Sequence, residues 1–225
     1  MNGYGFTFCA ARLVALPSGA LYWPEFGCLV VSDLHLGRSE RYARRGGVLL
    51  PPYETAETLA RLRRDVQQTD PGVMVCLGDS FDDTEAVPDA SGLRAIIGDL
   101  ATNRRWIWIK GNHDPRPPIS IGESAREWHL GPLVFRHEAR KGDDASGEVS
   151  GHFHPKMRLA GQWRSCFLVD ERRIIMPAYG RYTGGMACDR PPLRDLVQPD
   201  AIAVLTGPRA YPVPLLRAVP ARRPS

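Results

Sequence analysis

The feature that most limits what this chain can fold into is a series of short apolar runs, each broken off by a small polar string. Cys28-Leu29-Val30-Val31 runs into Ser32-Asp33-Leu34-His35. Val73 to Leu77 runs into Gly78-Asp79-Ser80-Phe81-Asp82-Asp83, and Trp106 to Ile109 into Lys110-Gly111-Asn112-His113-Asp114. Apolar runs of this length suit strands buried on both faces. Two amphipathic segments separate them. Tyr53 to Gln67 carries Ala56, Leu59, Ala60, Leu62 and Val66 at helical spacing, with Pro51 and Pro52 at its entry. Ser91 to Asn103 puts Leu93, Ile96, Ile97 and Leu100 on one face. Strands alternating with helices predict a layered α/β domain.

Further strands are expected at Arg12–Leu16 and Ala20–Trp23, joined as a hairpin by Pro17-Ser18-Gly19. Others are expected at Leu133–Arg136, Cys166–Val169, Arg173–Met176 and Ala201–Leu205. The reading is one domain over residues 1–206 and a loose Pro/Arg-rich extension over 207–225. At 225 residues, with 43% hydrophobic and 24% charged, the chain is long enough for a full core. No apolar run reaches the roughly 20 residues of a membrane helix. The first nine residues lack the basic start and apolar stretch of a signal peptide. The cysteines at 9, 28, 76, 166 and 188 are scattered singly. Reduced thiols in a cytoplasmic protein are the expectation.

The chemistry is concentrated at the strand ends. Besides the three strings above, His137 ends the run Leu133 to Arg136, and Gly151-His152-Phe153-His154 forms a fifth string. Each delivers Asp, Asn or His, and groups of this kind gather at the carboxyl ends of α/β strands. Strand periodicity would point Asp33 and His35 to one side, and likewise His152 and His154. Carboxylates and imidazoles aimed together suit a metal site. His129 stands apart, beside Trp128, and reads as an ordinary surface or packed residue.

This order of motifs resembles the calcineurin-like metallophosphoesterase superfamily, from about Leu29 to His154. The resemblance implies an αββα sandwich of two mixed β-sheets flanked by helices. It also implies two divalent metal ions, with Asp33, His35 and His154 on one, Asn112, His137 and His152 on the other, and Asp79 between them. His113 would be catalytic without binding metal. It would stabilise the transition state or protonate the leaving oxygen, with Asp82 or Asp114 fixing its tautomer.

A second set of stretches narrows the likeness. Arg44 to Thr55, Leu133 to Glu138, Gly151 to Pro155 and Pro177-Ala178-Tyr179-Gly180-Arg181-Tyr182-Thr183-Gly184-Gly185 look like the bacterial ligase-associated DNA-damage-response endonucleases, the PdeM-type metallophosphoesterases. That likeness implies manganese, hydrolysis of phosphodiester bonds in single-stranded DNA, and work in DNA repair beside a ligase, a helicase and an exonuclease. RNA, small nucleotides and other phosphoesters are alternative substrates, and a non-catalytic scaffold of the same fold is a further reading. One position departs from the group: its GDSF is usually followed by His, and here by Asp82. In the protein-phosphatase branch an Asp at that place bonds the His of GNH, so Asp82 is expected to orient His113.

Only three of the 29 basic residues are lysines. Arginine suits bidentate capture of phosphate, although arginine-rich codon usage gives the same balance. Arg38 and Arg41, just after the first string, are the expected substrate-steering cations. Trp106 and Trp108 read as core. Tyr179 and Tyr182 are the candidates for stacking on bases.

Overall fold

The computed structural model describes residues 2–44, 53–82, 90–116, 118–142 and 146–215. Strands β1 (Tyr4–Phe8), β2 (Ala11–Ala15) and β3 (Leu21–Trp23) lead into β4 (Cys28–Val31). Helices α1 (Arg38–Arg44) and α2 (Glu54–Thr69) follow, then β5 (Val73–Cys76), α3 (Ala90–Ala101) and β6 (Arg105–Ile109). Next come β7 (Glu123–Ala125), β8 (Glu127–Leu130), β9 (Leu133–Arg136) and β10 (Glu148–Ser150). They are followed by β11 (Pro155–Leu159), β12 (Gln162–Val169), β13 (Arg173–Ile175) and β14 (Met186–Ala187). A one-turn helix, α4 (Leu193–Leu196), precedes β15 (Ile202–Leu205) and β16 (Tyr211–Pro214).

Among the described residues the strands form two mixed sheets. The first runs in the order β1 to β7, antiparallel through β4 and parallel from β4 to β7. The second runs β14-β11-β12-β13-β10-β9-β8, with β15 and β16 added beside β12. The expected sandwich is therefore the fold found.

Strand periodicity explains the layers. Cys28 and Val30 of β4, Val75 of β5 and Ile107 and Ile109 of β6 face the middle layer. There they meet Phe135, Val149, Phe167, Val169 and Val204 from the second sheet. The alternate residues Leu29, Val31, Met74, Cys76, Trp106 and Trp108 face outward onto Leu59, Leu62 and Val66 of α2 and Ile97 and Leu100 of α3. Cys166, Leu168, Ala203 and Leu205 face the other way, toward Leu193 of α4. Each such buried aliphatic side chain contributes about 1.5–3 kcal/mol. Trp106 and Trp108 are core residues, as expected.

The expected loose extension is corrected in its first part. Tyr211–Pro214 pairs antiparallel with β15, and Ala210 and Leu215 are buried. Tyr211 and Val213 pack on the second sheet's outer cluster, and that apolar surface holds the segment down. Residues 216–225 lie outside the described residues, as do 45–52 of the Arg44 to Thr55 stretch and Asp83.

Candidate metal centre

Parallel pairing of β4, β5 and β6 puts three carboxyl ends side by side, and β9 and β10 bring two more from the second sheet. The five strings meet there. The loops after β4 and β5 zip together: Asp33 N donates to Gly78 O (3.3 Å), His35 N to Asp79 O (2.9 Å) and Leu36 N to Ser80 O (2.9 Å). The two sheets are tied by Gly151 N to His137 O (2.8 Å) and His152 N to Asp33 Oδ2 (2.9 Å). Ser32 Oγ donates to the same Asp33 oxygen.

Strand alternation does not aim the ligands, contrary to the sequence expectation. β4 stops at Val31 and β10 at Ser150. Beyond them Asp33 (φ +51°), His35 (+47°), Asp79 (+44°), His152 (+71°) and His154 (+48°) all adopt left-handed backbone. Such a conformation costs about 1–2 kcal/mol per non-glycine residue. It persists where the surroundings over-determine it, and it clusters at functional sites. Gly78, at φ +78°, allows the turn out of β5; a Cβ there would sit 2.9 Å from Gly111 Cα and against the His137 ring.

The side chains converge in two groups. Asp33, His35 and His154 offer ligand atoms all within 4.8 Å of one another, and so do Asp79, His137 and His152. In the first group His35 Nε2 faces His154 Nε2 at 3.4 Å, and His154 Nε2 lies 3.2 Å from Asp33 Oδ1. In the second, His152 Nδ1 lies 3.1 Å from His137 Nε2, which lies 3.4 Å from Asp79 Oδ2. The Asn112 amide joins it, 3.3 Å from His152 Nδ1. His137 lies 4.0 Å from Asp33 Oδ1, so the groups adjoin.

This set fits divalent cations. Asp33 Oδ1 is buried with no hydrogen-bond partner, an expensive state for a carboxylate oxygen unless something positive sits there. Ring nitrogens facing one another at these distances turn lone pairs toward a common point. Burial acts to raise the Asp33 pKa, but His154, His137 and His35 outweigh it and hold the carboxyl below its usual range. At Asp79 burial again opposes the shift, and the bond and charge of His137 with the His113 amide hold it well below. Both carboxylates are ready as anionic ligands.

The profile of the calcineurin-like phosphoesterases matches residues 28–210, most of the chain and all five strings. The chain belongs to that family. A solved structure, the Pseudomonas putida nuclease MPE, superposes with a TM-score of 0.73 at 25% identity, covering 94% of this chain and 100% of that one. A predicted phosphoesterase from Streptococcus pneumoniae TIGR4 aligns at 14% identity and a TM-score of 0.33, over 83% of this chain and 96% of that one. Comparison with curated protein sequences finds no significant match. The calcineurin-like phosphoesterase is a metal-dependent phosphoester hydrolase.

Around the ligands, this phosphoesterase fixes tautomers. His137 Nδ1 donates to Leu77 O (2.8 Å), which leaves Nε2 as a lone pair toward its group. His35 Nδ1 is 2.9 Å from Asp82 Oδ1, which leaves Nε2 inward in the same way. The expectation for Asp82 is thereby corrected: it orients His35, not His113. Asp114 does not reach the His113 ring either. Its carboxylate accepts Ser80 N (2.8 Å), Phe81 N (3.2 Å) and Gly111 N (3.2 Å), bracing the turns after β5 and β6. Burial, then the charge of Asp79, pushes Asp114 up to about 6. His113 itself is exposed at the rim, its ring edge-on to His35 with centroids 5.5 Å apart and its backbone N donating to Asp79 Oδ1 (2.9 Å).

The expected substrate cations are corrected as well. Arg41 Nη1 bonds Asp82 Oδ2 at 2.8 Å, and Arg38 Nη1 lies 3.5 Å from Asp82 Oδ1. Both serve the buried carboxylate behind His35. Tyr179 is fully buried, so it cannot stack on a base. Its N donates to Ser32 O (2.7 Å) and its hydroxyl to Asp65 Oδ2 (2.8 Å), while Arg61 lies over its ring at 4.3 Å. Tyr182 stays exposed, and Arg181 pairs with Glu57 at 2.8 Å. Sequence reasoning missed Ser32 and the Leu77 carbonyl; a serine at a strand end and a main-chain oxygen carry no signal of their own.

Proposed function

We propose that this phosphoesterase is a manganese-dependent phosphodiesterase cutting single-stranded DNA, an endonuclease of a DNA repair pathway. The observation that carries the reading is the pair of nitrogen–oxygen ligand groups closing on the unpartnered Asp33 oxygen. Asp33, His35 and His154 would hold one ion, Asn112, His137 and His152 the other, with Asp79 shared. Imidazole-rich donors favour Mn, Fe or Zn over Mg or Ca, and the ligase-associated likeness selects manganese among them. Similarity to a nuclease over the whole chain supports diesters as substrates. In a cell, such cuts would be handled beside a ligase, a helicase and an exonuclease.

When bound, two such ions polarise a phosphoryl oxygen and lower the pKa of a water for in-line attack on phosphorus. The chain's own residues do the rest. Asp82 and the Leu77 carbonyl hold His35 and His137 in one orientation, so the site is preorganised. His113, at the rim with its ring clear of the ligand groups' hydrogen bonds, is placed to give a proton to the leaving oxygen. Asp79 positions that residue by accepting its backbone N–H.

The test uses the purified chain with Mn²⁺ and three substrates: a single-stranded oligodeoxynucleotide, an aryl phosphodiester and an aryl phosphomonoester. The first two are hydrolysed, and His152→Ala or Asp79→Ala abolishes both activities with unchanged circular dichroism. Hydrolysis of the monoester alone makes this a small-substrate phosphatase. Two bound ions without turnover make it a scaffold, and full activity in either variant removes the two-ion centre.

A further inference from the structure

The edges of the two sheets meet at β7 and β8, and a cavity of about 440 Å³ opens there. Asn112 and His137, from the second ligand group, form part of its wall. Four cations line the rest: Lys110, Arg126, Arg136 and Arg140. Against them stand two carboxylates, Glu127 and Glu138.

The cations divide by their bonding. Arg136 is nearly buried and shared between Glu127 (3.2 Å) and the fully buried Glu148 (3.2 Å). Arg140 lies 2.9 Å from the same Glu127 oxygen. Those two are structural: Arg136 with Glu148 joins β9 to β10, and Glu127 of β8 ties them to the edge. Lys110 and Arg126 are exposed, and among the described residues neither makes an ion pair. Their backbones are fixed: Lys110 N donates to Ala125 O (2.9 Å), next to Arg126. Two uncommitted positive charges are thus held side by side, one of them two residues from Asn112.

The geometry points to this cavity as the subsite for the polynucleotide strand that continues past the scissile phosphate, with Lys110 and Arg126 on its neighbouring phosphates. A phosphomonoester or a small aryl diester has no further phosphate to place there. A nucleic-acid backbone repeats its charge along the chain, and lysine and arginine beside the centre hold it through phosphate contacts that carry no sequence information. The assignment rests on the proposed phosphodiesterase reading and adds where the chain lies. It also places the steering charge on the β7–β8 side, because Arg38 and Arg41 are already engaged with Asp82.

The experiment compares wild type with Lys110→Ala/Arg126→Ala, with the charge-conserving pair Lys110→Arg/Arg126→Lys, and with Arg12→Ala/Arg209→Ala as an equal loss of net charge elsewhere. Binding of a labelled oligothymidylate is measured against salt, and kcat/KM is measured for that strand and for an aryl diester. The alanine pair weakens strand binding on the order of tenfold and lowers the salt slope by about two, one per lost phosphate contact. The ratio of kcat/KM for strand over aryl diester falls on the order of tenfold as well. The charge-conserving pair and the distant pair keep the wild-type ratio and slope. A wild type that cuts the strand, with an alanine pair indistinguishable from it, overturns this assignment alone. A wild type that hydrolyses the aryl diester yet neither binds nor cuts the strand overturns the DNA reading, and this subsite with it.

Discussion

Asp82 Oδ1 lies 2.9 Å from His35 Nδ1, and the carboxylate is fully buried between that imidazole and two guanidinium groups. Burial works to raise its pKa, but the bond and charge of His35, with Arg38 and Arg41, outweigh that and hold it below the usual range. An ionised Asp82 fixes the proton of His35 on Nδ1 and so keeps Nε2 a free donor toward the first ligand group. Asp82→Ala is expected to loosen the ring and weaken metal binding by about 10–100-fold, the usual cost of losing such an orienting carboxylate. Calorimetric Mn²⁺ titration checks this: one of two binding steps weakens. Two wild-type steps would contradict the role.

Tyr179 joins three parts of the molecule, bonding the Ser32 carbonyl beside Asp33 and the Asp65 carboxylate on α2. Tyr179→Phe keeps the ring under Arg61 and removes only the hydroxyl. Asp65 is buried and its pKa is already raised, by burial first, so it is left with one partner fewer. The expected loss is about 1–3 kcal/mol, read from urea unfolding at neutral pH. The sign of the pH dependence follows. A carboxyl with a raised folded pKa costs stability when ionised, so the deficit shrinks as pH falls through that raised value toward 3.8. A deficit that grows on acidification would refute the assignment.

Gly78 leaves no room for a side chain. Its φ of +78° strains any other residue, and a methyl would meet the His137 ring and Gly111. Gly78→Ala is expected to destabilise the fold by about 2 kcal/mol or more and to displace His137, lowering metal affinity as well. Chemical denaturation and the same Mn²⁺ titration report the two effects separately.

The five cysteines are unpaired thiols, four of them buried and Cys9 partly exposed. Burial pushes the Cys28 thiol up to about 12, so almost no thiolate forms there near neutral pH. Treatment of native protein with a thiol reagent should modify Cys9 first, and all five should react in denaturant. Mass spectrometry of the labelled peptides decides it; early labelling of Cys28 or Cys76 would mean that the first sheet opens.

The ligand set could be read from the sequence because each string carries its chemistry in residue type: Asp, Asn and His placed where apolar runs end. The runs themselves, with period-two burial in Leu29/Val31 against Cys28/Val30, gave away the layers as well. Both are local properties of a linear pattern. What only tertiary structure decided is which group faces which. Asp82 reads equally well as a partner of His113 or of His35, and the pairing of the β4 and β5 loops chose His35. Left-handed backbone at Asp33 and His35 produces the same-side placement that a strand would, so the sequence pattern cannot tell them apart. Likewise Arg38 and Arg41 are indistinguishable in sequence from Lys110 and Arg126. The fold buries a carboxylate beside the first pair, and the printed ion pairs leave the second without one, because a charge is spent or free only by virtue of what long-range packing sets next to it.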